Sequence, residues 1–426
     1  MDRPYTNSHE NSFGNIPDNW ELVPIGDIGE VITGRTPSTK VNSYYGGPYK
    51  LISPANLSKN VYVDSAHRWI TEDGLEATRV LPKDTVLVSC IGYIGKTGLT
   101  KDERSATNQQ INAIICNRQF DPHFVLFQLR HLQDYLEKFA RVTTVPILNK
   151  TNFESIKIPI PPLPEQRAIA QVLSTVRKAI DATEQVIAAA SELKRSMMKH
   201  LFSYGPVSVD EAEKVLLKET EIGDVPEEWE ISKIDDVCSV NAKNRDPSSD
   251  QPEKEFVYID ISSIESETGR ILSPSVILGK EAPSRARRVV HTDDVILSTV
   301  RPYLKSFAII PDEYDSQICS TGFAVLTNEK LASAKYIYYV SFSSIVGKQF
   351  RKRMKGANYP AINIGDVKET KIPIPSKQEQ ETIGNNLSLI DKKINVEIQR
   401  KTALEFLFNG LLQNLMTGNM RVDSGS

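Results

Sequence analysis

The run Gly92-Tyr93-Ile94-Gly95-Lys96-Thr97 is the first place where residue types and spacing suggest chemistry. A phosphate-cradling loop needs Gly-x4-Gly-Lys-Ser/Thr, because its backbone amides wrap the phosphates. The leading glycine of that pattern falls on Cys90, so the cradle is incomplete. Metal ligation finds no better footing: His9, His67, His123, His131, His200 and His291 show neither HxxxH nor HExxH spacing. No Gly-x-Ser-x-Gly elbow appears, and Cys90 has no His near it in sequence. Asn358-Tyr359-Pro360 does not supply the Asn-Pro-Pro-aromatic motif that methyl transfer to a DNA amino group requires. Glu165 and Glu379 sit where helices begin, and the helix dipole already accounts for a carboxylate there. No catalytic and no metal-binding constellation emerges.

Clustered base is what remains. Arg35, Thr36 and Lys40 lie in one polar loop, with Tyr44 just beyond it. Tyr93 and Lys96 follow a strand-like run, Gln109 and Gln110 precede another, and Arg141 stands before Pro146. Further on, Arg285 and Arg287 precede the run at Val295, and Arg301, Tyr303 and Lys305 follow it. Arg351, Lys352, Arg353, Lys355 and Asn358 form a basic loop after a helix, four like charges in five residues that repel unless an anion is near. Arg and Lys neutralise phosphates, while Arg, Gln and Asn can also read base edges in the major groove. Any one of these residues alone reads more readily as part of a solvated charged face. Replacing Arg353 is expected to weaken DNA binding by about 1–3 kcal/mol if it reads a base, and to weaken it uniformly across sequences if it only touches phosphate.

The elements that must position these residues come in two copies. The chain has 426 residues, 40 % of them hydrophobic and 25 % charged, which suits a soluble protein of two or three domains. Ile16-Pro17-Asp18-Asn19-Trp20-Glu21 returns as Val225-Pro226-Glu227-Glu228-Trp229-Glu230, at an offset of 209 residues. At the same offset Gly92 aligns with Arg301 and Lys96 with Lys305, so the glycine of the loop is lost while the lysine stays. Lys157-Ile158-Pro159-Ile160-Pro161 returns as Lys371-Ile372-Pro373-Ile374-Pro375, and Glu165-Gln166 as Glu379-Gln380, both at 214. Such ordered matches mark an internal duplication. Each copy is a mixed α and β part, about 15–160 and 224–375, followed by a heptad-patterned helix of about 37 residues, or about 55 Å. The short β-rich runs are Val86–Ser89, Ile111–Cys116, Val295–Ser298 and Phe323–Thr327, and Asp121–Phe139 and Ala332–Phe350 read as helices.

The heptad seams run through Leu173, Val176, Ile180 and Ile187 and through Leu387, Ile390, Ile394 and Phe408, interrupted by Lys194, Glu397 and Lys401. A helix longer than its own domain needs another long helix, and its copy is the obvious partner, antiparallel if a two-fold axis relates the halves. A charge at Ile180 or Ile394 is then expected to break both the pair and any assembly built on it. No apolar stretch is long enough for a membrane span, and Cys90, Cys116, Cys238 and Cys319 form no CxxC pair. They read as small buried hydrophobes in a reducing cytoplasm. The balance of 51 Lys+Arg against 54 Asp+Glu means that any nucleic-acid surface is a local patch.

Ile158-Pro159-Ile160-Pro161-Pro162-Leu163-Pro164-Glu165-Gln166-Arg167, the opening Ile16-Pro17-Asp18-Asn19-Trp20 and Asp293-Asp294-Val295-Ile296-Leu297-Ser298 resemble the specificity subunits of type I restriction-modification systems. The second junction departs from the pattern, with Ser376-Lys377 in place of Pro-Leu-Pro. The resemblance implies an α+β chain: two pseudo-repeated α/β target-recognition domains separated by two long antiparallel coiled-coil helices. The expected divisions are 1–162 and 206–376 for the domains with their linker, and 163–205 and 377–426 for the helices. The family likeness further implies a non-catalytic, cytoplasmic subunit that binds a bipartite asymmetric duplex, one half-site per domain. No cofactor is expected in the chain itself. Two methyltransferase subunits would bring S-adenosylmethionine, and nuclease-translocase subunits would bring ATP and magnesium. Two other readings compete: a coiled-coil scaffold whose globular ends bind proteins, and an enzyme with an unrecognised site.

Overall fold

Two signatures about 140 residues apart in each copy meet in space. In the computed structural model, which describes residues 16–140, 146–266, 268–328 and 332–422, strand Glu21–Pro24 pairs antiparallel with Lys157–Ile160. Strand Glu230–Lys233 pairs in the same way with Lys371–Ile374. The repeated opening and the repeated Ile-Pro-Ile segment are therefore the two strands of one ribbon. A proline is tolerated there because the ribbon has only two strands.

The chain divides into two compact units, Met1–Gln185 with Gln399–Ser426, and Val186–Ile398. Each holds one globular domain and parts of both long helices, so the divisions at 162, 205 and 376 cut through packed cores. In the first unit a five-stranded sheet contains Gly29–Thr33, Ile111–Cys116, Val86–Ser89, Thr97–Thr100 and Tyr62–Val63 in that spatial order. Arg68–Ile70, Tyr45–Ile52 and Ala106–Thr107 form a second sheet. In the second unit Ser239–Val240, Phe323–Thr327, Val295–Ser298 and Phe307–Ile309 repeat the first sheet. A further sheet, Ser275–Leu278, Glu255–Ile259, Gln317–Ser320 and Ala286–Val290, stands beside it. The four strand-like runs of the sequence fall on these strands residue for residue, because each is a short, mainly apolar run rich in β-branched residues and buried over most of its length.

Two helical predictions need correction. The segment Asp121–Phe139 is two helices, Pro122–His131 and Gln133–Ala140. The segment Ala332–Phe350 is likewise Ala334–Phe342 and Ser344–Arg353, with Ser343 in an extended conformation between them. Arg351, Lys352 and Arg353 accordingly form the last turn of a helix and not a loop, and the negative end of the dipole offsets much of their mutual repulsion.

The long helices are Leu163–Tyr204 and Lys377–Met416, 42 and 40 residues. Gly205 and Gly418, with φ of 81° and 73°, follow their ends in the left-handed conformation of a C-terminal cap. Within the first unit Glu184 meets Lys401 at 2.8 Å and Glu165 meets Arg421 at 2.6 Å, so the two segments run antiparallel. Within the second unit Lys194 meets Asp391 at 2.6 Å, while Leu201 and Phe202 share a core with Ile383 and Leu387. All three charges that interrupt the seams are thus paired, since Lys393 reaches Glu397 at 2.5 Å.

The seam residues divide unevenly. Leu173, Ile180 and Leu387 are fully buried, Ile394 and Phe408 nearly so, and Val176 packs against the first core. Ile187 and Ile390 are only half-buried. Phe408 of the second long helix meets Phe127 of the first globular domain, within the same compact unit, edge-on at 6.0 Å, so this face is buried against a domain as well as against the other helix.

Both helix starts are fixed by the same device. Gln166 is 2 % exposed; its amide donates to the Pro161 carbonyl at 2.9 Å, and its oxygen accepts from the Asp121 amide at 2.9 Å. Gln380, 1 % exposed, donates to the Pro375 carbonyl at 3.0 Å and accepts from the Ser333 amide at 2.9 Å. The missing Pro-Leu-Pro at the second junction therefore leaves helix-start geometry intact. Ser376 instead caps through Glu379, donating from its amide at 2.9 Å and its hydroxyl at 2.7 Å.

Candidate nucleic-acid interface

Antiparallel pairing brings the predicted loops of the first domain to one end of one sheet. Thr33 is opposite Asn112, and Ser89 is opposite Ile111, so the loops after Thr33 and Ser89 and the loop before Ile111 emerge together. Gly34 lets two of them approach closely: a Cβ there would lie 2.1 Å from the Asn108 carbonyl oxygen. Arg35 donates its amide to Thr107 O at 2.9 Å, and the Thr36 hydroxyl donates to Gln109 Oε1 at 2.8 Å. Gln110 accepts a side-chain bond from Asn108 at 3.0 Å, while its carbonyl takes the Cys90 amide at 2.8 Å. Arg35, Tyr93 and Gln109 are exposed, Tyr93 at 78 %, with Lys96 Nζ 5.1 Å from the Tyr93 ring centre. Lys40 is exposed further along its loop, and Tyr44 is half-buried in a short turn ahead of the second sheet. Arg141 lies outside the described residues.

The second domain repeats the convergence. Ser298 is opposite Phe323, so the loop Thr299–Lys305 leaves the same end of the equivalent sheet. The Val300–Ala361 bridge and the Arg301 amide, which donates to Pro360 O at 2.8 Å, tie that loop to the segment after the basic helix. The first domain has the counterpart of both, an Ile91–Ile147 bridge and a Gly92 amide donating to Pro146 O at 3.2 Å. Gly92 has φ of 78°, and Arg301, aligned with it, has φ of 47°. A glycine takes this left-handed conformation freely, whereas for an arginine it costs about 1–3 kcal/mol.

Not every predicted base faces outward. Arg353 donates to Asp366 O at 3.0 Å, Thr370 Oγ1 at 2.9 Å and Glu369 O at 3.2 Å, which closes the end of helix Ile364–Lys368. It is a framework residue, and the expectation that it reads a base is withdrawn. Lys305 donates to Phe342 O at 2.8 Å and is half-buried. Burial, and then the neighbouring Arg351 and Lys194, hold its ammonium below the usual lysine range. Arg287 is paired with Asp246 at 3.1 Å. Arg285, Arg351, Lys352, Lys355, Tyr303 and Asn358 are exposed.

Tyr359 was not among the expected residues. It is 70 % exposed and lies under the Arg301 guanidinium, 4.6 Å from ring centre to Cζ. Its signal was the tripeptide Asn358-Tyr359-Pro360, dismissed above for failing a catalytic motif. Burial accounts for the cysteines: it pushes Cys90 up to about 11 and Cys116 up to about 12, and raises Cys319 further. Among the described residues, no group of three His, Cys, Asp or Glu could hold a metal ion.

A duplicated α+β unit that presents cations, amides and exposed tyrosines from one end of each sheet defines a class of paired recognition proteins. The type I restriction modification DNA specificity domain matches residues 17–192 and again 226–405, and the chain belongs to that family. It is 25 % identical over 426 residues to the type I restriction enzyme MjaVIII specificity subunit of Methanocaldococcus jannaschii, covering 96 % of this chain and 94 % of that one. The MjaIX specificity subunit of the same organism is 24 % identical over 434 residues, covering 98 % and 97 %. The crystal structure of the S subunit of a type I system from M. genitalium has the same fold. Its TM-score is 0.62 at 17 % identity, over 94 % of this chain and 96 % of that one.

Proposed function

We propose that this chain is the DNA-addressing subunit of a type I restriction-modification assembly. Each globular domain binds one half of a split, asymmetric duplex target. The observation that carries this reading is the repeated convergence of basic and amide-bearing loops on one sheet end in each domain. Arg35, Thr36, Lys40, Tyr44, Tyr93, Lys96, Gln109 and Gln110 are assigned to the first half-site. Arg285, Arg287, Arg301, Tyr303, Lys305, Arg351, Lys352, Lys355 and Asn358 are assigned to the second, Lys305 as a supporting residue.

The chain supplies an address and carries out no bond-breaking step. Methyltransferase subunits supply S-adenosylmethionine, and nuclease-translocase subunits supply ATP and magnesium. The assembly works in the cytoplasm; among the described residues no helix is long and apolar enough to cross a membrane.

The test is binding by the full chain reconstituted with its methyltransferase partner. One split duplex motif is expected to bind at least about a thousandfold tighter than random duplex. Affinity is expected to fall linearly with the logarithm of salt concentration. Absence of any sequence preference sinks the reading, and a flat salt response favours a protein-binding scaffold.

A further inference from the structure

Arg301 stands in a place that its copy in the first domain fills with glycine. Both positions are left-handed, with φ of 78° at Gly92 and 47° at Arg301, and both donate their amides to the matching proline carbonyl. The turn itself therefore needs only a glycine. An arginine kept where glycine is cheaper points to use of the side chain, because strain at one residue persists where the surroundings hold it for a purpose.

That side chain is held and presented. The guanidinium stacks on Tyr359 at 4.6 Å, and one Nη2 hydrogen goes to Asn358 O at 3.2 Å. Nε is buried without a partner, and no carboxylate pairs with the group among the described residues. Arg353 and Arg287, by contrast, are taken up by helix-end oxygens and by Asp246. The remaining Nη hydrogens form a flat fork of fixed direction beside an exposed aromatic ring.

We propose that Arg301, stacked on Tyr359, is a guanine reader, donating two hydrogen bonds to O6 and N7 in the major groove of the second half-site. The inference rests on the DNA-addressing reading. Guanine presents two acceptors in the plane of such a fork. A phosphate also accepts two bonds from arginine, yet it is reached equally well from a flexible side chain and gains nothing from a strained, stacked one. Tyr359 is the positioning residue: it fixes the guanidinium plane and so the direction of the fork.

The test is selection of bound duplexes from a random library by the full chain assembled with its modification subunit, comparing wild type, Arg301→Lys and Arg301→Gly. Wild type is expected to select a split motif with a fixed G·C pair in one half. Both variants are expected to lose the preference at that pair by about tenfold to a hundredfold, and to keep the other half-site unchanged. Arg301→Gly removes the reader while easing the turn, so it is expected to melt no lower than wild type; a merely structural arginine predicts the opposite. Substituting 7-deazaguanine at the selected position is expected to weaken wild type and to leave Arg301→Gly unaffected. Equal weakening on every sequence with a shallower salt dependence identifies a phosphate contact and overturns the proposal. Loss at an A·T pair, or no change, overturns it as well. A wild-type chain that selects no motif defeats the addressing function itself, which is distinguishable from a motif that survives in both variants.

Discussion

Single residues divide here into those taken up by the framework and those left exposed, and charge alone does not predict which. Four of the five residues Arg351–Lys355 are basic, and they looked alike in the sequence. The fold gives Arg353 three oxygen acceptors at the end of helix Ile364–Lys368 and leaves Arg351, Lys352 and Lys355 exposed. Arg353→Ala is expected to destabilise the chain by about 1 kcal/mol, read as a lower melting temperature, because it removes three hydrogen bonds and leaves part-buried acceptors at Asp366 and Thr370. At temperatures where the variant is folded, its DNA sequence preference should match wild type; a selective loss at one base pair would restore Arg353 as a reader. The distinction was not legible beforehand, because it depends on a short helix that begins eleven residues later in the chain. Tyr359 was invisible for a related reason: its role requires the loop after Ser298 to lie beside it, which only the Val300–Ala361 bridge brings about.

Elements were easier to read than residues. Val86–Ser89 and Val295–Ser298 declared themselves by composition, and the long helices by an apolar period that neither glycine nor proline interrupts in the first copy. The breaks at Leu132 and Ser343 were missed because both segments keep helical composition across them. The charges in the seams looked like flaws, yet Lys194 and Lys401 are partners across the helix pair and Glu397 is paired along its own helix. Lys194 and Asp391 are 14 % and 17 % exposed at 2.6 Å, and Asp391 also accepts from the Tyr339 hydroxyl at 2.7 Å. Removing Asp391 alone leaves the ammonium in a poorly solvated place and is expected to cost about 3–5 kcal/mol. Replacing both, as Lys194→Met with Asp391→Leu, is expected to recover most of that loss. Denaturant unfolding of the two singles and the double checks this, and a double variant whose loss equals the sum of the two singles would mean that the pair is not coupled.

At the scale of the whole molecule the duplication was the decisive reading, and it placed both domains and both helices from sequence alone. It did not reveal that each compact unit takes parts of both helices. That partition needs the two helices to run antiparallel, and it makes matched seam positions unequal. Ile180 is fully buried in the first core, whereas Ile394 lines a cleft of about 900 Å³ beside Lys194. Ile180→Asp is therefore expected to cost on the order of 4 kcal/mol or more and to split the calorimetric unfolding into two transitions, the first unit melting early. Ile394→Asp, with a cation and solvent within reach, is expected to cost clearly less; equal losses would refute the difference in environment.

The helix starts carry one more consequence. Gln166 holds its domain through the Pro161 carbonyl and the Asp121 amide, and Gln380 through the Pro375 carbonyl and the Ser333 amide, all of them main-chain atoms. A lock that touches no side chain of the domain places no demand on that domain's sequence beyond its backbone path. Side-chain changes in either domain that leave this backbone path intact are therefore expected to leave the helix start in place, and only changes to the path itself should unseat it.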